Sequence, residues 1–386
     1  MMPPRQYFVF TTAVIMMMVI YSIITWVWYG GQQMVTVLPL IERSSHPVCK
    51  HFTCESYAKL NCNRISSVLN DYAEHHRQVV TQKKKVKFLK FVCNRLCGGY
   101  GNRILGITVM LMLSIVSNRT FLIEMKHPFD INKLMHPNAI KWNYVPPRAL
   151  VTTEVTFPLV DNHNRVNWPS FSKAILNETN DMVVVSTNYG FDKFFTLCDD
   201  NLAKLVYDKF GITETDNMFS YGCVARYLFT YDKIVNDAIN KEMQDLHLTP
   251  GSYVSAHLRT KQINGDVHPA ELKSPIQHFQ CSIMVAKNLS SNLKFPVYFI
   301  SDSEYVDNLA NELYSGDIVT SPVHKIHVDR AKQLGLSTDS LIDGFIGALV
   351  NLEVASRSAA FVRRGSSFAD VIQSIGQFPE CSVIRK

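Results

Sequence analysis

Residues 97–106 read CGGYGNRILG, a glycine-dense loop between a strand-like segment and an apolar segment. Residues 86–92 largely alternate between polar and apolar types, which predicts a half-buried strand, and residues 104–116 are apolar enough for a buried helix. Glycine permits positive φ and leaves no Cβ between the backbone and a ligand, while a helix N-terminus offers unpaired N–H groups to an anion. The stretch predicts either an anion-binding strand, turn and helix, or a turn that only packs a helix on a sheet.

The composition describes a folded protein with room for two domains. The chain has 386 residues, of which 47% are hydrophobic and 19% are charged, which excludes a disordered protein. The net charge of +6 is modest. A run of lysines at residues 83–87 interleaves with the predicted strand and indicates a solvated edge rather than a polyanion site.

The N-terminal segment is typical of a membrane anchor. Residues 7–29 contain no charged side chain, and as a helix they would extend about 34 Å, enough to cross a bilayer core. Their aromatic end, WVWY at residues 26–29, favours an interfacial belt over the alternative, a cleaved signal peptide. Because Arg5 precedes the segment, we expect a cytosolic tail at residues 1–6, a single-pass type II signal-anchor at 7–29 and a luminal remainder.

Two further features agree with a luminal body. Asn118, Asn177 and Asn288 each begin a glycosylation sequon. The chain also has nine cysteines, which in an oxidising lumen predict disulfides with one cysteine left over. A zinc site is the alternative, but the early cysteines lack a close histidine at a familiar ligand spacing. A luminal location also excludes nucleic acid as a partner.

The remainder divides into three parts: a stem and cysteine-bearing extension at residues 30–85, an α/β domain at 86–247, and a second α/β domain at 248–386. In the second domain, apolar strands alternate with helical patterns, which predicts a parallel sheet whose ligands sit at the carboxyl ends of the strands. The predicted strands are residues 253–259, 296–302 and 359–362, and the predicted helices are 276–289, 304–314 and 339–356.

His257, Arg259 and Asp302 fall at those strand ends and predict a nucleotide diphosphate site. Arg259 can clamp a diphosphate, His257 can hold a base or phosphate, and Asp302 can bind a ribose or a guanine edge. In the polar loop that follows, Asp266 can take a proton from an acceptor hydroxyl. The plainer alternatives are a core histidine for His257 and a helix N-cap for Asp302. Asp302-Ser303-Glu304 also offers the acidic metal motif of a GT-A transferase as an alternative.

Three motifs together resemble the fucosyltransferase superfamily, which includes the α1,2-, α1,6- and protein O-fucosyltransferases. The first is GGYGNR at residues 98–103 with the apolar helix and strand that follow it. The second is HLR at residues 257–259 with its trailing polar loop, similar to the α1,6-like form. The third runs from residue 341 to 368, where a helix, a strand and a Ser-Ser turn close the fold.

The resemblance implies a GT-B-like fold, in which two Rossmann-like domains face a cleft, with residues 86–247 on the acceptor side. It implies GDP-fucose as donor, a glycan or glycoprotein hydroxyl as acceptor and inversion at the sugar carbon. Because Arg259 and helix-end N–H groups can neutralise a diphosphate leaving group without a cation, we expect no metal or other cofactor. With its signal-anchor, the enzyme is expected in the Golgi membrane, with the endoplasmic reticulum as second choice. The alternative is a luminal binding protein of the same fold without turnover.

The resemblance also implies roles for particular residues. Arg259 would contact the β-phosphate, and Asp266 would be the general base, with Glu271 as its competitor. Thr260-Lys261 departs from the arginine or aspartate of many members. Asp343 and the serines of the Ser-Ser turn could also be helix caps or solvated residues. The implied donor-binding residues are Gly99, Gly101, Asn102, Arg103, His257, Arg259, Asp302, Asp343, Ser366 and Ser367.

Overall fold

The computed structural model describes residues 52–54, 62–82, 86–94, 97–160, 171, 174–176, 180–190, 200–213, 217–260, 273–290, 294–323, 335–378 and 381–383. The predicted tail and anchor lie outside these residues, as does most of the stem. No helix within the described ranges is both long enough and apolar enough to cross a bilayer. The boundaries drawn for the tail, anchor and stem stay predictions.

The first half of the chain alternates strands and helices. Its elements are β1 (Phe52–Cys54), α1 (Asn63–Gln82), β2 (Phe88–Cys93), α2 (Tyr100–Val116), β3 (Thr120–Met125), β4 (Met135–Pro137), β5 (Glu154–Val160), β6 (Met182–Thr187), α3 (Asp200–Phe210), α4 (Asn217–Leu228), β7 (Phe229–Tyr231) and α5 (Lys233–Asp245), with short 3-10 turns at Ile131–Lys133 and Arg148–Leu150. Four strands form a parallel sheet in the order β3-β2-β6-β5. Parallel neighbours need a crossover, and α2 supplies it between β2 and β3.

The second half repeats this arrangement. Its elements are β8 (Val254–Leu258), α6 (Lys273–Leu289), β9 (Val297–Ser301), α7 (Glu304–Leu313), β10 (Ile318–Thr320), α8 (Thr338–Ser356), β11 (Ala360–Arg363), α9 (Ser367–Gly376) and β12 (Cys381–Val383). The parallel order is β10-β9-β8-β11. Every residue of β8 and β9 is buried, as expected for parallel strands covered on both faces. The strands and helices predicted here are confirmed to within a few residues.

The helices α8 and α9 lie between the two sheets. Apolar residues of α6 and α7, such as Phe279 and Val306, form a core on the outer face of the second sheet. Phe345 and Leu349 of α8 and Ile372 of α9 belong instead to the core that contains the first sheet and α2. The two domains therefore share a continuous apolar interface, which fixes the ends of α2 and α9 relative to each other.

The cysteine-bearing extension is part of this packed body. Ile65, Leu69 and Tyr72 of α1 belong to the same core as the first sheet, although the sequence places α1 outside that domain. A disulfide joins Cys62 to Cys223 in α4, and β1 pairs antiparallel with β12. A second disulfide joins Cys93 to Cys97, and Cys281 is also disulfide-bonded. The prediction of disulfides is therefore confirmed, and at least five of the nine cysteines are unavailable to zinc.

Candidate functional site

The glycine-rich loop begins at Cys97, four residues after the last residue of β2. Gly98 has φ +78, a conformation that side chains other than glycine rarely adopt, and Gly99 is the extended N-cap of α2 with no side-chain cap. The Cys93–Cys97 disulfide ties the loop to the end of β2. The structure therefore contains the predicted arrangement, in which a strand is followed by a glycine turn and the N-terminus of a helix.

Gly101 lies where the two domains meet. A Cβ placed on it would lie 2.6 Å from the backbone nitrogen of Phe368 and 2.6 Å from the carbonyl carbon of Ser367. Only glycine fits this approach without a shift of backbone. The first turn of α2 therefore abuts the first turn of α9, and the partial positive charges of two helix N-termini lie together.

Arg103 is fully buried and holds the loop from behind. Its Nε donates to the Gly98 carbonyl at 3.0 Å, and its Nη1 donates to the His127 carbonyl. The sequence predicts that Arg103 lines the donor cleft, but a guanidinium without accessible surface acts on a ligand only by fixing the loop. Asn102, by contrast, is half-buried on the first turn of α2.

The strand ends of the second sheet meet at one edge, as predicted. His257 in β8 is in register with Arg363 in β11, and Leu258 is in register with Ser301 in β9. Arg259 and Asp302 follow β8 and β9 directly. The carboxyl edge of this sheet thus brings together the histidine, the arginine and the aspartate that the sequence singled out.

Arg259 and Asp302 form an ion pair. Arg259 Nη1 lies 3.0 Å from Asp302 Oδ2, and the two side chains are 29% and 13% exposed. The other carboxylate oxygen, Oδ1, accepts from the backbone N–H of Thr260 at 2.6 Å and from its hydroxyl at 2.8 Å. Asp302 is not the N-cap of α7, because Ser303 fills that position. In this arrangement Asp302 holds Arg259, and its assignment to a ribose or a guanine edge stays a prediction.

Phe368 joins the histidine motif to the glycine loop. The His257 ring is buried, and its centroid lies 5.6 Å from that of Phe368. The backbone nitrogen of Phe368 lies 2.6 Å from the position that a Gly101 Cβ would take. Two residues before Phe368, Ser366 is the N-cap of α9 and accepts from the Ala369 N–H at 3.1 Å. The three motifs therefore converge on one turn. They meet at Phe368, which the sequence places in the third motif without assigning it a role.

The sequence also assigns no role to further residues at this edge. The Arg363 guanidinium pairs with Asp370, and the Arg364 guanidinium contacts the Ser274 hydroxyl at the start of α6. The Arg364 backbone N–H donates to the His257 carbonyl at 3.1 Å. The dipeptide Arg363-Arg364 directly before the Ser-Ser turn was the available sequence signal.

Other predicted site residues stand apart or outside the described residues. Asp343 is exposed on α8, whose N-cap is Ser337. Asp266, Glu271 and Asn177 lie outside the described residues, and their assignments stay predictions. Within the ranges that the structure covers, no three His, Cys, Asp or Glu side chains are grouped to hold a metal ion.

The comparisons with known proteins bear on the fold. No protein-family model and no curated protein matches this chain. A solved structure of a mutant of Arabidopsis thaliana FUT1 in complex with GDP superposes with a TM-score of 0.54 at 14% identity, over 81% of this chain and 77% of that one. The chain has the fold of FUT1. The predicted α/β, GT-B-like fold is thereby confirmed for the body of the protein.

A structure of NodZ alpha-1,6-fucosyltransferase soaked with GDP-fucose is also similar. Its TM-score is 0.42 at 14% identity, and the match covers 75% of this chain and 92% of that chain.

Proposed function

We propose that this protein is an inverting fucosyltransferase that moves L-fucose from GDP-fucose to a glycan or glycoprotein hydroxyl in the secretory pathway. The observation that carries the proposal is the convergence of three sequence motifs on one turn. Gly101 contacts the backbone of Ser367 and Phe368, and the Phe368 ring contacts His257. These motifs were recognised separately in the sequence, and a shared ligand site is the reason for them to meet.

The electrostatics of the turn suit a diphosphate. Arg259 is partly exposed and is held in place by Asp302, so its remaining N–H groups can bind phosphate oxygens. The first turns of α2 and α9 add two helix N-termini at the same place. The FUT1 structure of this fold was determined with GDP, which supports the choice of a guanosine diphosphate sugar as donor.

The reaction follows from these groups. The acceptor hydroxyl attacks the fucose anomeric carbon on the face opposite the departing GDP, which inverts the configuration. Arg259 and the helix N–H groups offset the charge that develops on the leaving diphosphate, a role that needs no metal. Asp266 or Glu271 takes the acceptor proton. Residues 86–247 hold the acceptor.

A location in the Golgi membrane rests on the apolar segment at residues 7–29 and on the sequons. Asn118 is exposed with φ +51 in the turn after α2, and Asn288 is exposed in the last turn of α6. Both asparagines are therefore accessible to a glycan, as luminal residues of a type II membrane protein would be.

The test is transfer of labelled fucose by the full chain, purified in detergent, from GDP-fucose to a panel of glycans and glycoproteins. GDP-mannose and UDP-galactose are the donor controls, and an excess of chelator tests the need for a metal. We expect transfer from GDP-fucose alone, unaffected by chelator and lost in Arg259→Ala. Calorimetry with GDP separates the remaining outcomes. GDP binding without transfer to any acceptor would favour the binding-protein alternative, and absence of GDP binding would reject the donor site.

A further inference from the structure

A cavity lies where elements of both domains meet. Its volume is about 270 Å³, and its walls come from α2, α4, α5, β4, β7 and the C-terminal halves of α8 and α9. Ser367, at the proposed donor site, and Ile375, in the cavity wall, are eight residues apart on α9, or about 12 Å along the helix axis. Tyr100, between Gly99 and Gly101 of the glycine loop, also lines the cavity. The cavity therefore adjoins the glycine loop but lies apart from the first turn of α9.

Glu353 is the buried polar group of this cavity. Its side chain is only 8% exposed. One carboxylate oxygen, Oε1, accepts from the Tyr231 hydroxyl at 2.9 Å. Among the described residues, the other oxygen, Oε2, has a charged neighbour only in Arg357, whose Nη2 lies 3.9 Å away, which is beyond hydrogen-bond distance. Oε2 is not one of the inaccessible side-chain atoms that lack a partner, so it borders accessible space, where a ligand or a water can donate to it.

The rest of the lining supplies donors and aromatic surface. Burial raises the pKa of Tyr100 and of Tyr231, so both hydroxyls stay protonated. The Arg357 guanidinium contacts the Met243 thioether at 3.6 Å and is 36% exposed. Arg226 also lines the cavity and is exposed. The Arg226 guanidinium is thus open to solvent, and the Arg357 guanidinium is only weakly bonded. Both lie at the cavity that contains Glu353.

The charges of the lining and the volume of the cavity restrict the chemical class of ligand that it can bind. The charged residues of the lining are Arg226, Arg357 and Glu353, which leaves one net positive charge. The volume of about 270 Å³ is just below the roughly 300–1,000 Å³ of drug-sized pockets and suits one sugar ring. A ring hydroxyl can donate to a carboxylate, an anionic substituent can bind two guanidinium groups, and the ring can lie against the aromatic wall.

We propose that this cavity binds an acidic monosaccharide. A ring hydroxyl donates to Glu353 Oε2, and the sugar carboxylate binds Arg226 and Arg357. None of the three groups that bind the sugar is a proposed donor-site residue, so the proposal stands even if the protein transfers no fucose.

The test uses saturation-transfer NMR on the full chain in a polyoxyethylene detergent, which has no sugar head group to compete. The probes are D-glucuronate and D-glucose, which share a ring and differ in the carboxylate. We expect saturable binding of glucuronate, binding of glucose at least tenfold weaker, and no displacement of glucuronate by saturating GDP.

Variants locate the binding. Arg226→Ala removes an exposed side chain of the lining and should weaken glucuronate binding at least tenfold, as should Glu353→Gln. Arg148→Ala removes an exposed arginine that does not line the cavity and should leave binding unchanged. The proposal fails if glucuronate gives no saturable signal, if GDP displaces it, or if Arg226→Ala and Arg148→Ala bind it equally. Equal binding of glucose and glucuronate would refute the acidic ligand class.

Discussion

Gly101→Ala tests whether contact between the two domains builds the donor site. The added Cβ would lie 2.6 Å from backbone atoms of Ser367 and Phe368, whereas ordinary contacts begin near 3.4 Å. The turn must therefore retreat by about 0.8 Å, and because the obstructing atoms are backbone, no side-chain rotation relieves the clash. The retreat moves Phe368 and, through its ring, the surroundings of His257.

Two effects of opposite sign set the stability. Overpacking destabilises by typically about 1–3 kcal/mol, while alanine in place of glycine within a helix stabilises by roughly 0.8–1.0 kcal/mol. The net loss of unfolding free energy is then about 0–2 kcal/mol, so the variant should fold. A misplacement of about 1 Å can lower turnover on the order of a hundredfold. Activity should therefore fall much further than stability.

The assay compares fucose transfer, GDP affinity by calorimetry and thermal unfolding of Gly101→Ala with those of Gly365→Ala. Gly365 lies in the same turn, but a Cβ there meets no atom within 4 Å and its φ is not positive. We expect Gly365→Ala to behave as the natural protein, and Gly101→Ala to lose GDP affinity and at least tenfold in transfer. Natural affinity and transfer in a folded Gly101→Ala protein would refute the role of this contact.

Four other predictions test the site and the topology. Arg259→Lys should lower transfer by roughly a hundredfold or more, because lysine lacks the bidentate fork, and a steady-state assay with GDP-fucose measures it. Asp302→Asn should lower kcat/KM by roughly tenfold to a hundredfold through a misplaced Arg259, and unchanged kinetics would mean that other groups position the arginine. Asp266→Asn should keep GDP affinity and lose roughly a hundredfold in turnover; if Glu271→Gln loses it instead, Glu271 is the base, and two fully active variants would mean that the loop holds none. Asn118→Gln should remove one glycosidase-sensitive step in gel mobility, and an unchanged pattern would leave Asn118 unglycosylated.

The positions of the strand ends could be predicted because the pattern that marks them lies within a few neighbouring residues. The runs that became β8 and β9 are short, mostly apolar and followed by polar residues, and parallel pairing then places His257, Arg259 and Asp302 at one edge. The glycine loop was predictable for the same reason, since strand, turn and helix follow one another without a gap.

Partners distant in the chain were not predictable from local pattern. Arg259 and Asp302 were assigned separate ligands because nothing in either segment states that they pair with each other. Helix α1 does carry a signal, since Ile65, Leu69 and Tyr72 recur at spacings of four and three and form a buried face. That apolar face indicates that α1 packs against another part of the protein, but the sequence does not show which part. The helix was therefore assigned to the extension.

Gly101 shows that a glycine at a helix N-terminus can be required for a reason other than making room for a ligand. The sequence reading assumes that a glycine at a helix N-terminus makes room for a ligand, but here the room is filled by the backbone of Ser367 and Phe368. The glycine therefore acts on a ligand through its neighbours: it sets how closely α9 approaches α2, and with it where Phe368 meets His257. A donor-site residue can thus be essential without touching the donor, and a loss of GDP affinity in Gly101→Ala would measure domain contact rather than a missing ligand contact.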